Sequence, residues 1–283
     1  MKSTFLRCLT MVAFSVGLAA GAAHAQLINY HVGSDNLQTL ASGTYAGLAN
    51  PNYQRLTFLR FNDLEVSDPA TSHWHSIGAY TYTGPAATPT VQSTNGNNRI
   101  PETFTGFAPL PLLPGSGAFA GKLVSGIPNS TPQSQDHYDR LEMRSVQELA
   151  GDPPGSTENF LYNSSGGRWN QPLGANARIA LELLSHSPGL NVATQTGTQI
   201  LANDLDRFEI GQGDDWSFTP AFWVDSSAAP GTYSAQLRLV DESGAYLPSG
   251  SFNFDFAVVP EPTSLALAGA ALAAIAVGRR RGS

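Results

Sequence analysis

His73-Trp74-His75 is the stretch of this 283-residue chain whose residue types and spacing are best suited to chemistry. In an extended strand, residues two apart point to the same side. Both imidazoles then share one face, their Cα atoms about 6–7 Å apart, and can hold one metal ion, while Trp74 turns the other way, into a core. Neutral imidazole is a common Zn²⁺ ligand, and three protein ligands leave a fourth position open. His137, in Asp136-His137-Tyr138-Asp139, is the candidate third ligand, with carboxylates beside it. His31, following a first predicted strand, is a candidate fourth. The alternative is that these histidines are polar loop and strand-face residues with no metal. His186, in Ser185-His186-Ser187-Pro188, reads as a turn residue.

Other candidates have duller readings. Asp204, Asp206 and Glu209, followed by Asp214 and Asp215, could gather around Ca²⁺, but the EF-hand glycine and closing glutamate are missing, so an acidic turn is expected. Gly115 to Lys122 imitates a phosphate loop, yet Leu123 stands where a Ser or Thr should bind Mg²⁺, and the flanks read as strand. No G-x-S-x-G elbow and no H-E-x-x-H occurs, so a secreted hydrolase is the least favoured function. Trp169, Trp216, Trp223, Tyr80 and Tyr82 could stack sugars or fill a core.

The elements that must position these residues are strands. Phe252, Phe254, Phe256 and Val258 alternate with Ser251, Asn253 and Asp255, placing the first set inward and the second outward. Tyr233 to Leu239 alternates likewise, and the two segments form a plausible terminal hairpin. Further strands are expected at 27–32, 55–61, 76–83, 118–125, 206–210 and 217–224, and Leu141/Met143 and Ile179 to Leu183 alternate too. With 28 Gly and 19 Pro, short strands and turns should dominate. The expected fold is all-β: one β-sandwich-like domain, jelly-roll or immunoglobulin-like, over 26–257.

Both ends differ from the body. Residues 1–25 have a basic start (Lys2, Arg7), an apolar stretch and Ala23-His24-Ala25, with cleavage expected between Ala25 and Gln26. This is the pattern of a secretory signal peptide, a helix handled by the Sec translocon and signal peptidase. Residues 258–283 hold Pro260-Glu261-Pro262, a short transmembrane helix over 264–278, and Arg279, Arg280 and Arg281. The uncharged run would reach only about 21 Å, short of the ~30 Å hydrocarbon core. The arginines suit retention on the cytoplasmic side during transient insertion.

Five of the 15 Lys+Arg and one of the 22 Asp+Glu lie in these ends. The body therefore carries ten positive against 21 negative charges, a balance of −11, which excludes a phosphate-binding footprint and so nucleic acid as partner. The single cysteine, Cys8, leaves with the signal peptide, removing thiol chemistry from the body.

The order Val259-Pro260-Glu261-Pro262-Thr263, apolar stretch and Arg cluster resembles the PEP-CTERM sorting signal of Gram-negative exoproteins. That resemblance implies processing near Pro260, Glu261 and Pro262 by an exosortase. It also implies delivery to the outer surface or extracellular matrix and association with exopolysaccharide. Four blocks look like a zinc-repressed PEP-CTERM group: Asn50-Pro51-Asn52-Tyr53, residues 98–103, residues 162–169 and residues 218–225. This likeness implies expression under zinc scarcity and zinc capture, and supplies no ligand set. Two functions follow as expectations: an exported metal-binding surface protein, and a structural or adhesive matrix protein without metal.

Overall fold

The computed structural model describes residues 30–62, 68–126 and 138–259. The signal-peptide region, His137 and the tail from Pro260 lie outside the described residues. Strands dominate, as the alternation requires, and among the described residues they form three larger sheets and one two-stranded ribbon.

The first sheet matters most for the site. Its order is Ser217–Phe218, Met143–Ser145, β1 (Tyr30–Ser34), β2 (Leu56–Asn62), β3 (His73–Ile77). β1 runs parallel to Met143–Ser145 and antiparallel to β2, and β2 pairs antiparallel with β3. The expected strand at 76–83 is replaced by β3 and the separate Thr81–Thr83, broken at Gly78. Gly78 has φ +68, and a Cβ there would lie 2.2 Å from the Ser251 carbonyl oxygen, so only glycine fits.

The second sheet has the order Arg207–Gln212, Arg178–His186, Gly231–Asp241, Phe252–Val258, Arg99–Ile100. It contains the expected terminal hairpin, with Ala235 opposite Phe254 and Leu237 opposite Phe252. Asn253 and Asp255, expected to face outward, are buried. Arg99–Ile100 adds a strand beside them, and Arg99 makes a two-toothed contact with Asp255. That pairing satisfies the buried carboxylate. The third sheet runs Gln199–Leu201, Asn191–Thr194, Pro220–Asp225, Lys122–Val124, Leu113–Pro114. The phosphate-loop look-alike is the turn of the hairpin between its last two strands.

One hydrophobic cluster draws on all three sheets, including Tyr30 and Phe58, Leu181 and Phe254, and Val192 and Phe222. Phe58 stacks on Phe252 at 4.2 Å, and Phe222 tilts against Phe256 at 4.7 Å. A second cluster covers the opposite face of the first sheet: Leu59, Phe61 and Trp74 meet Val146, Leu149, Leu161 and Trp169. β2 is therefore buried on both faces, which is why Leu-Thr-Phe-Leu-Arg-Phe-Asn shows little polar alternation.

Candidate metal centre

β3 places His73 and His75 on one face and Trp74, in the second cluster, on the other, as the period-two reading expects. The pairing with β2 sets His73 opposite Asn62 and His75 opposite Arg60. The two rings converge until His73 Nε2 and His75 Nε2 are 3.1 Å apart. Both imidazoles are half-buried, in a cavity of about 600 Å³ that Asn62, Ser76, Asn95, Asn97 and Phe104 also line.

The other ring nitrogens are committed. His73 Nδ1 lies 2.8 Å from the Thr71 carbonyl oxygen, which can only accept, so Nδ1 carries the proton. His75 Nδ1 lies 2.8 Å from Glu102 Oε1. Burial pushes the Glu102 carboxyl up. The hydrogen bond from His75, the Arg60 guanidinium and the Asn97 amide outweigh it and bring the group down to about 2. Glu102 is thus ionised at neutral pH, and His75 Nδ1 donates to it. A neutral imidazole has one N–H. With both rings in that neutral form, each Nε2 presents a lone pair to the other.

Such facing lone pairs repel unless a proton or a cation lies between them. Two nitrogens each about 2.0–2.1 Å from one Zn²⁺, at 90–110°, sit about 2.9–3.4 Å apart. The observed 3.1 Å falls inside that range. A ligating histidine whose other nitrogen donates to a carboxylate or a backbone carbonyl is the usual outer-sphere arrangement. Glu102 and Thr71 supply one of each. Glu102 is itself held: Arg60 Nη1 donates at 2.8 Å, Tyr138 Oη at 2.9 Å and Asn97 Nδ2 at 2.6 Å. The Arg60 guanidinium lies 3.8 Å over the Tyr138 ring.

His31 does not join this pair. It lies opposite Leu59 in β2, one residue out of phase with Arg60, so its side chain points through the other face of the sheet. There it is buried, 4.9 Å from the Trp74 ring, with Nε2 at 2.9 Å from Glu148 Oε1. Burial lowers its pKa, so it is a neutral donor to the Glu148 carboxylate. The fourth-ligand expectation is corrected accordingly. Among the described residues no three His, Cys, Asp or Glu gather as a metal site, and the pair stands as two ligands with an ordered surround.

The acidic candidates serve turns and ion pairs. The Asp206 carboxylate accepts from the Ala202 and Asn203 amides, the Asp214 carboxylate from those of Leu173 and Gly174, and Glu209 pairs with Arg178. His186 lies 3.6 Å from Asp204. Glu102, Arg60, Asn97 and Thr71 were not assigned to the site from sequence. Glu102 sits in one of the four resemblance blocks, but nothing local marks it as a partner of a histidine 27 residues earlier.

The model of the PEP-CTERM protein-sorting motif matches residues 258–281. No curated protein and no solved structure matches the chain. The chain thus carries the sorting signal of an exosortase substrate, an exported, cell-surface protein. The match begins at Val258, the last residue of the strand Phe252–Val258, so the signal starts where the sheet stops. No helix among the described residues is long and apolar enough to cross a membrane.

Proposed function

We propose that the exported body captures a divalent metal, zinc foremost, through His73 Nε2 and His75 Nε2. The observation that carries this reading is that both Nδ1 atoms lie 2.8 Å from acceptor oxygens while the two Nε2 atoms converge to 3.1 Å. Bound zinc would supply a positive charge and open positions facing a cavity lined by the amides of Asn62, Asn95 and Asn97, the hydroxyls of Ser76 and Thr105, and the Phe104 ring. The sorting signal supports action outside the cell, after transient inner-membrane retention of the tail through Arg279, Arg280 and Arg281.

The test is equilibrium dialysis against Zn²⁺ at pH 7.5, using protein released from the cells and carrying no histidine tag. The wild type should take up one equivalent that the His73→Ala/His75→Ala variant does not. Equal uptake by both would end the metal reading and leave a matrix role without metal as the better account.

A further inference from the structure

The five aromatic residues that could have formed a sugar platform divide cleanly. Trp169 is buried in the second cluster, Trp216 packs on the first, and Trp223 packs on a third around Phe119 and Ala221. Tyr80 and Tyr82 belong to none of the three clusters. With Tyr45 they line a second cavity of about 230 Å³, which meets the histidine cavity at Ser76 and Asn95.

These rings are braced rather than packed. Tyr45 Oη donates to the Gly84 carbonyl at 2.8 Å, and Tyr82 Oη to the Ala49 carbonyl at 2.9 Å. Their ring centroids are 5.3 Å apart. Asn52 grips the backbone of Tyr80 from both sides, accepting from its amide and donating to its carbonyl, each at 2.8 Å. Asn50 Oδ1 in turn accepts from the Asn52 amide. The Arg55 guanidinium lies 4.0 Å over the Tyr80 ring, and Arg55 is tied to the Pro51 and Pro248 carbonyls. Buried amides and an arginine are thus spent on holding half-exposed aromatic rings still around a hollow.

We propose that this hollow is a saccharide-binding cleft. Fixed aromatic faces match the C–H surfaces of a pyranose ring, and such rigid, amphipathic side chains lose little entropy on binding. The Tyr45 and Tyr82 phenol oxygens already donate their protons and keep a lone pair for a sugar hydroxyl. Among the described residues no carboxylate lines the cleft, and the one charged liner, Arg168, is already paired with Asp35. The ligand is therefore a neutral saccharide, one ring laid against the joined faces of Tyr45 and Tyr82, whose centroids are too close to admit a sugar between them. The cleft stands independently of the metal pair.

Affinity electrophoresis tests this, with gels containing a soluble neutral β-glucan, a soluble neutral α-glucan or a polyuronate. The released protein should be retarded by a neutral polymer. Tyr82→Ala should weaken that retardation by about tenfold, the loss of one ring-sized contact, and Tyr82→Phe should weaken it less, since the ring face stays while the bond to Ala49 and the sugar acceptor go. Tyr45→Ala provides the same reading should Tyr82→Ala fail to fold. The His73→Ala/His75→Ala variant should be retarded like wild type, which separates this cleft from the metal site. Migration unaffected by either neutral polymer, retardation by polyuronate alone, or wild-type retardation of folded Tyr45→Ala and Tyr82→Ala proteins would overturn the assignment.

Discussion

His73 Nε2 and His75 Nε2 face each other at 3.1 Å, each ring held by its opposite nitrogen. Protons and metal compete for the same two lone pairs. Zinc affinity should therefore fall as pH is lowered, because metal binding needs both Nε2 lone pairs free. Either single substitution, His73→Ala or His75→Ala, should weaken binding by more than the roughly 10–100-fold expected for loss of an outer-sphere partner. Competition titration with a chromogenic chelator at several pH values reads both effects.

Glu102→Gln separates orientation from ligation. The amide keeps the shape but loses the charge that His75 Nδ1 donates to and that Arg60 faces. Zinc affinity should drop about 10–100-fold with stoichiometry unchanged. Stability should fall by about 1.5–3 kcal/mol, since the Gln amide replaces a charge that accepts from Arg60, His75 and Tyr138. Affinity at wild-type level would show that Glu102 serves the fold alone.

Acid should destabilise the protein in two stages. His31 is held neutral by burial, its pKa below the ordinary 6.5. The unfolded chain takes up that proton first, so stability begins to fall as pH drops below 6.5. Glu102 has its folded pKa lowered from 4.5 to about 2. Its contribution, roughly 3 kcal/mol, is fully present above the unfolded value and is lost as pH falls through 4.5 towards 2. Urea unfolding at successive pH values should show both declines, and Glu102→Gln should shrink the lower one, Glu148, Asp206 and Asp241 supplying the rest because their carboxyls are also held below the ordinary value.

His31→Gln should leave zinc stoichiometry and affinity at wild-type values, because its side chain lies across the sheet from the pair. It should cost about 1–3 kcal/mol through the disturbed bond to buried Glu148. A drop in zinc stoichiometry with the fold intact would mean that the register between β1 and β2 is wrong.

This residue also shows where sequence stops being informative. Two residues on one strand share a face by parity, so the His73/His75 pairing was legible. Whether His31 joins them depends on register across two strand pairings, and a shift of one residue reverses the face. Arg60 illustrates the same limit. A charge in a strand reads as an outward position, yet it is buried because Glu102, 42 residues later, folds over it. The alternation of Phe252, Phe254 and Phe256 gave their strand plainly, whereas the burial of Asn253 and Asp255 required the distant Arg99–Ile100 to arrive beside them. The parallel pairing of β1 with Met143–Ser145 joins segments more than a hundred residues apart and leaves no local trace. Tyr80 and Tyr82 could be named as rings, but their division from the tryptophans was set by packing.

The sorting signal gives the last prediction. The match to residues 258–281 joins a Pro-Glu-Pro to an apolar run and three arginines. These parts have separable duties. Glu261→Ala alters the recognised motif while leaving the apolar run, so uncleaved protein should accumulate in the membrane fraction. Replacing Arg279, Arg280 and Arg281 by serine leaves the motif intact but removes the charges suited to hold the tail on the cytoplasmic side. Protein should then escape to the periplasm uncleaved. Immunoblots of fractionated cells distinguish the two fates by location, since both leave the polypeptide longer than the released form. If both variants are released at normal length, the signal is not what directs this body outward.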